Sequence, residues 1–308
     1  MAGTDRRANA ADDASLAVAR RGQFLRRLVP EWGQVAYIVK AYPGACSAGV
    51  LIVAIGLLSG IGPEVLSMEP NKIDIYSQYA GPGAPGHLLG TDIQGRDILA
   101  RLIWGSRSAL AVAILPVSIA AAIGLLLASI AGFFGRFLEI TILRATDILF
   151  GLPPFMLAVA VAASLGPGLG NMVIAITAIL IAPMTRVAHQ IIVNIREQSF
   201  VEAARASGAR NHQIVWHHVL PNMLPPVMAY GVSLVGLQIV FGAGLSFIGL
   251  GVQPPDADWG KMIAEGQDAL QDAPWVAAFP GLCIFVVAAA FNIVADSVRD
   301  VLDPYTRV

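Results

Sequence analysis

The chain of 308 residues is 56% hydrophobic and only 13% charged, with a mean hydropathy of +0.67. Soluble domains carry about 25% charged residues, so this balance excludes an ordinary soluble domain and places the chain in a membrane. The net charge of −1 carries no indication of a nucleic-acid partner, and Cys46 and Cys283, each inside an apolar run, make neither a disulfide framework nor a metal site.

Residues 1–40 are expected to form a cytoplasmic tail. Asp12, Asp13 and the Arg20-Arg21 and Arg26-Arg27 pairs keep its first part solvated, while Leu16, Val18, Phe24, Leu25 and Leu28 fit either a basic amphipathic helix on the membrane surface or a disordered tail. The first apolar run starts near Ala45, too late for a cleaved leader, and is expected to stay as an anchor. A spanning helix needs about 20 mostly apolar residues. Six segments qualify, near 43–62, 108–134, 144–165, 171–193, 224–249 and 275–296. The expected fold class is therefore an all-α integral membrane protein with six transmembrane helices. The third and fourth spans are weaker, because they contain Asp147, Pro153-Pro154, Pro183 and Arg186. Prolines at that depth are tolerable where neighbouring helices or water satisfy the freed carbonyls, which favours a pathway over a simple anchor.

Lysine and arginine set the orientation. With the N-terminus inside, fifteen basic residues lie on the cytoplasmic side and five outside: Lys72, Arg96, Arg101, Arg107 and Lys261. The chain should thus be N-in and C-in, with residues 41–107 forming the first helix and an outer segment, and 108–308 a five-helix core.

Within the outer segment, Gly81-Pro82-Gly83 reads as loop, and Ile98, Leu99, Leu102 and Ile103 recur at helical spacing, predicting an amphipathic helix along the outer surface. His87, Asp92 and Asp97 have ligand-type side chains, yet a turn with Thr91 or Asp92 capping that helix accounts for the same residues. The loop 251–274 is acidic and could face either solvent or an external partner. Glycines crowd Gly242 to Gly251, suiting close helix packing or a lining and gating role.

Between the fourth and fifth spans lies a basic island, 196–221. Ser199-x-x-Glu202 reads as a capping box, so a helix should start just after Ser199. Ala203, Ala204 and Ala206 keep one face small. Gly208 suits a left-handed C-terminal cap. Asn211 is placed to cap a second helix, Gln213 to Val219, which Pro221 should stop.

These residues resemble the cytoplasmic coupling loop of ABC importer permeases: Glu202-Ala203-Ala204, three residues, Gly208, nine residues, then Leu220-Pro221 in register. His218 departs from the pattern, standing where an apolar residue is usual. The stretch from His87 to Gly105, which includes Gly90, Thr91, Asp92, Gly95, Arg96 and Asp97, resembles a signature of the C-type permease subunit of dipeptide and oligopeptide ABC importers. So do Gly242 to Gly260 and Asp296 to Pro304. The resemblance implies a type I ABC importer permease fold in a bacterial inner membrane. It implies a second homologous permease subunit, two ATP-binding subunits docked on the elbow at Glu202, Ala203, Ala204, Gly208, Leu220 and Pro221, and an extracytoplasmic binding protein delivering peptide. Nickel and glutathione importers carry similar signatures.

No Gly-x-x-x-x-Gly-Lys-[Ser/Thr] loop occurs, so ATP and its magnesium are expected on partner subunits, with no cofactor and no catalysis in this chain. His212, His217 and His218 do not match a common zinc spacing and read as polar interface residues. Asp147 is the acid well inside an apolar stretch, and pairing with Arg144 or Arg186 accounts for it. An ion-gradient-driven transporter would need several such buried groups, and only Asp147 and His189 are candidates. A scaffold without transport would leave the proline- and glycine-broken spans unexplained.

Overall fold

A computed structural model describes residues 42–65 and 69–302. The tail reading for residues 1–40 and the last residues of the chain, Asp303 and Pro304 among them, lie outside that range. No strand occurs among the described residues. Helix α1, Pro43–Val65, opens with the Ser47 hydroxyl bonded to the Gly44 carbonyl at 2.9 Å. From Ala48 onward it exposes Val50, Val53, Leu57 and Ile61, a surface suited to hydrocarbon.

The remaining elements are built around α2, Ile98–Phe133, and α5, Leu169–Arg196. Between them lie α3, Arg136–Phe150, and α4, Pro154–Leu165. After α5 come α6, Ser199–Ala206, α7, Asn211–Ile214, and α8, Leu220–Phe247. The chain closes with α9, Trp259–Gly266, and α10, Trp275–Leu302. Among the described residues, five helical segments are long and apolar enough to cross a membrane, α7 and α8 counting as one, and the bent pair of α3 and α4 makes a sixth if it is one broken span.

Three expectations are corrected. The predicted third span is not one helix, because α3 and α4 meet at 91°. Pro153 and Pro154 stand side by side, and a residue before proline avoids helical geometry, so Pro153 is extended (ψ 128°). The 15 and 12 residues of the two pieces reach only about 22 and 18 Å, each short of a bilayer core. Second, no separate amphipathic helix precedes the second span: residues 98–107 are the first turns of α2, which runs 36 residues without a break. Third, Pro221 stops nothing. Val215–Val219 wind as a π turn, with the Leu220 N–H reaching the Val215 carbonyl, and the chain continues into α8. A missing proline N–H disrupts a regular ladder, and a π turn is one accommodation of it. The carbonyls of Gln213 and His218 take side-chain donors there, His217 Nδ1 at 3.1 Å and Asn222 Nδ2 at 2.5 Å.

Small residues set how closely the helices pack. A Cβ on Gly124 would lie 2.9 Å from the Met184 backbone, and one on Gly132 would lie 2.9 Å from Ile192. Ala120, Ala121, Ala128 and Ala131 fill the rest of that α2 face. Likewise, a Cβ on Gly242 would meet Val112 at 2.3 Å, and one on Gly236 the Ala288 carbonyl at 2.8 Å. The glycines of α8 therefore serve close packing against α2 and α10, as membrane helices require when hydrophobic drive is absent.

Gly124→Val is expected to force α2 from α5 and cost about 1–3 kcal/mol or more. A fall in the melting temperature of the detergent-solubilised protein checks this. Gly170→Ala, with open space around its Cβ, should leave melting within about 0.5 kcal/mol of the parent.

Candidate functional site

Two clusters stand out, at opposite ends of α2. The first is the elbow between α5 and α8. Helix α6 starts at Ser199, but Gln198 is its N-cap and no side chain caps it. The expected Ser199/Glu202 capping box is not formed, because Ser199 already lies in the first turn and the amides of Val201 and Glu202 both bond the Gln198 carbonyl. Glu202 is left exposed and without an ion-pair partner among the described residues. At the other end Gly208 takes φ +81°. Its N–H bonds the Arg205 carbonyl at 2.9 Å, and the Ala209 N–H bonds the Ala204 carbonyl at 3.1 Å, which together make a Schellman closure. The left-handed cap predicted at Gly208 is therefore present.

The second short helix begins at its expected cap, Asn211, and is capped one residue earlier. Arg210 is the N-cap of α7, its N–H taking the Gln213 side-chain oxygen at 2.9 Å. Asn211, expected to cap, instead donates its side-chain amide to the Phe133 carbonyl at 3.1 Å. Val201, Ile214 and Val219 are fully buried beneath the elbow. Each contributes about 1.5–3 kcal/mol by leaving water, enough to seat a short motif firmly. Ala203, Ala206, Gly208 and Pro221 face outward, Ala204 is half-buried, and Leu220 lines an apolar groove of about 840 Å³ beside Leu125 and Trp216. Two further ties join the elbow to the end of α2: Arg205 lies over the Phe133 ring at 5.8 Å, and Arg196 reaches the Gly132 carbonyl at 3.4 Å.

The second cluster gathers around the start of α2. Gly90 (φ +81°) and Gly95 (φ +72°) admit no side chain, because a Cβ would meet the Ala80 carbonyl oxygen at 2.4 Å and the Asp74 oxygen at 1.7 Å. The tight fold they permit buries Thr91, which accepts the Ala80 N–H at 2.9 Å and donates to the Ser77 carbonyl. Asp97, not Thr91 or Asp92, caps α2: one carboxylate oxygen accepts the Ala100 N–H at 2.8 Å, and the other faces His87 Nδ1 at 2.8 Å. Asp92 turns instead to Arg96, 2.7 Å away. His87, Asp92 and Asp97 thus divide between a His87–Asp97 hydrogen bond and an Asp92–Arg96 ion pair, and no group of three ligand-type side chains among the described residues could hold a metal. Nearby, the Ser77 hydroxyl and the Tyr76 N–H hold the Asp74 carboxyl below its usual pKa. Its contribution is present at neutral pH and fades as pH falls through that lowered value.

Arg96 also reaches Glu265 of α9 at 2.8 Å, and Arg101 stands 3.6 Å from both Asp92 and Glu265. Arg101 is 1% exposed; its Nη1 donates to the Pro255 carbonyl at 3.5 Å while its Nε has no hydrogen bond, so charge supplies most of what holds it. Two guanidinium groups and two carboxylates thus balance in a nearly closed space. The acidic loop 251–274 is accordingly solvated only in part: Asp256, Asp268 and Asp272 are exposed, while Asp258 and Glu265 turn inward. Asp258 caps α9 and accepts the Ser108 hydroxyl at 3.0 Å, and the Trp259 indole donates to the Leu102 carbonyl at 2.9 Å.

With this geometry in view, comparison with known proteins is decisive. Residues 124–308 match the family of binding-protein-dependent transport system inner membrane components. The chain belongs to that family. Similar relatives include the dipeptide transport system permease protein DppC of Alkalihalophilus pseudofirmus, 36% identical over 276 residues covering 90% of each chain. The probable D,D-dipeptide transport system permease protein DdpC of Escherichia coli is 35% identical, over 88% of this chain and 91% of its own. The glutathione transport system permease protein GsiD of another Escherichia coli strain is 39% identical over 76% of this chain and 77% of its own. Among solved structures, a chain of the MetNI methionine ABC transporter in inward-facing conformations shares the fold. Its TM-score is 0.51 at 18% identity, covering 64% of this chain and 96% of that one.

In this inner membrane component, the sequence-predicted residues of each motif do come together. Gly90, Thr91, Asp92, Gly95, Arg96 and Asp97 form one knot, and Glu202, Ala203, Ala204 and Gly208 one elbow. Leu220 and Pro221 lie beyond the π turn, at the head of a long helix. Missed entirely were Arg101 and Glu265. Arg101 could have been flagged: it sits with Ile98, Leu102 and Gly105 at helical spacing, on the face that proves buried. Glu265 is 169 residues from Arg96, and no local signal pairs them.

Glu265→Gln leaves Arg96 and Arg101 sharing one carboxylate, and is expected to destabilise by about 3 kcal/mol. Amide hydrogen exchange across Trp259–Gly266 should rise with it. Exchange equal to the parent's would mean that the cluster does not hold α9.

Proposed function

We propose that this chain is one of two membrane-spanning subunits of an ATP-driven importer of di- or oligopeptides. The observation that carries the proposal is the elbow: a short helix closed by Gly208, seated on buried apolar residues, with Glu202, Ala203 and Gly208 in the open at the end of α2. A surface of small side chains around one free carboxylate suits insertion into a groove on a separate subunit. The relatives named for dipeptide transport support peptide as cargo. Those named for glutathione, itself a small peptide derivative, favour it as a second candidate.

In this reading a second, similar permease subunit completes the path, and two ATP-binding subunits dock at residues 196–221 of each membrane half. ATP and magnesium reside on those subunits, and this chain performs no hydrolysis. The excess of arginine on the elbow side supports a cytoplasmic elbow with both termini inside. The tail 1–40 then lies in the cytoplasm, residues 41–107 supply the first helix and the external knot, and 108–308 the working core. An extracytoplasmic binding protein would deliver peptide to the surfaces of residues 63–107 and 251–274. Closure of the ATPases would push the elbow. Because the elbow is tied to Gly132 and Phe133, that push would move α2 with α5 and rock the path between inward- and outward-facing states.

Gly208→Val places a β-branched residue at φ +81°, with no clash but a strained backbone. The protein should insert, while peptide uptake falls to background and ATP hydrolysis runs uncoupled. Glu202→Lys should weaken co-purification of the ATPase subunits. Normal uptake by the first variant together with normal association of the second would remove the elbow from the mechanism. Uptake of labelled dipeptides, longer peptides, glutathione and nickel by the reconstituted complex identifies the cargo.

A further inference from the structure

Arg136 opens α3, Arg196 ends α5 and Arg205 lies on α6, yet all three line one cavity of about 660 Å³. They share a second property. Arg96, Arg101, Arg107, Arg144 and Arg186 each lie within ion-pair distance of a carboxylate. Arg136, Arg196 and Arg205 have no such partner among the described residues. Arg196 touches only the Gly132 carbonyl at 3.4 Å, and Arg205 lies over the Phe133 ring. One acid, Glu139, stands in the cavity wall, 3.2 Å from His189 Nε2, so three arginines face a single carboxylate and the recess keeps a net positive charge. No side chain caps the N-terminus of α3, and Gly135 and Arg136 bring that end to the cavity, where its free amides add positive potential.

The other wall is apolar. Ile140 and Leu143 line it, and along the same helix Phe137 is 80% and Ile140 49% exposed. A recess of net positive charge beside an exposed apolar helix, where membrane helices end, matches an anionic amphiphile. Basic pockets between spanning helices bind phospholipid headgroups for this reason.

We infer that this cavity is a binding site for an anionic phospholipid, its phosphate held by Arg136, Arg196 and Arg205 and its acyl chains lying along α3. The site joins α3, α5 and the elbow helix α6, so an occupied headgroup braces the base of the elbow. The inference rests on the membrane-spanning reading given above, and it does not require the elbow to drive transport. A soluble phosphate ester has the same headgroup chemistry, and the apolar wall assigns the site to the lipid.

The test uses the full-length protein reconstituted in phosphatidylcholine vesicles containing a phosphatidylglycerol probe with a photoreactive acyl chain. Cross-links are expected on the peptide spanning Phe137, Ile140 and Leu143. They should fall about fivefold for each arginine removed, and so about 25-fold in Arg136→Gln/Arg196→Gln. Arg136→Lys/Arg196→Lys should keep most of the labelling, which separates charge from misfolding. Equal labelling by a phosphatidylcholine probe, or unchanged labelling in the glutamine variant, overturns the inference. Full competition by soluble glycerophosphate also overturns it, assigning the site to a free phosphate ester. So does loss of labelling once the ATPase subunits are bound, which would give the arginines to a partner's carboxylates. Labelling is read without transport or ATP hydrolysis, so its failure is distinct from failure of the importer reading.

Discussion

The close approach of α2 to α5 is the constraint on which the rest depends. Gly124 and Gly132 leave no room for even a methyl group against Met184 and Ile192, and alanines fill the face between. In a bilayer such contact replaces the hydrophobic drive that lipid removes. The 36 residues of α2 reach about 54 Å, well beyond the hydrocarbon thickness. One end therefore carries the balanced charges of Arg101, Asp92, Arg96 and Glu265, and the other carries the elbow. A single rod connects the two clusters, and its partner α5 leads directly into the elbow.

The one acid well inside an apolar stretch is paired across helices. Asp147 on α3 bonds Arg186 on α5, and Arg144 stands 3.8 Å away. Glu139 and His189 join the same two helices one step along. Asp147 thus bonds across one seam and His189 stands 3.2 Å from Glu139 across the same seam, which favours a structural tie between α3 and α5. Those ties hold in place a helix that the turn at Pro153 leaves too short to span alone.

The elbow shows how far a local pattern reaches. Gly208 was legible because a left-handed cap is decided by the backbone of one residue, and the Schellman bonds followed. The capping box at Ser199 and Glu202 failed on a shift of one residue at the helix start. The stop at Pro221 failed because the proline falls in the first turn of α8, where its missing N–H is tolerated, directly after a π turn. Each error lay at an element boundary, where small energies compete and the neighbours in space decide.

Composition and periodicity by themselves determined that this chain lives in a membrane, where its apolar segments fall, and that a glycine-closed polar turn separates the fourth from the fifth. These are properties of consecutive residues, read through hydropathy and backbone preference. Only the tertiary structure decided that α2 begins at Ile98, that the third apolar segment breaks at a right angle, and that Glu265 neutralises arginines far away in the chain. It alone gathered Arg136, Arg196 and Arg205 around one cavity. Charge pairing and close packing depend on distances through space, and the order of residues along a chain does not encode those distances locally.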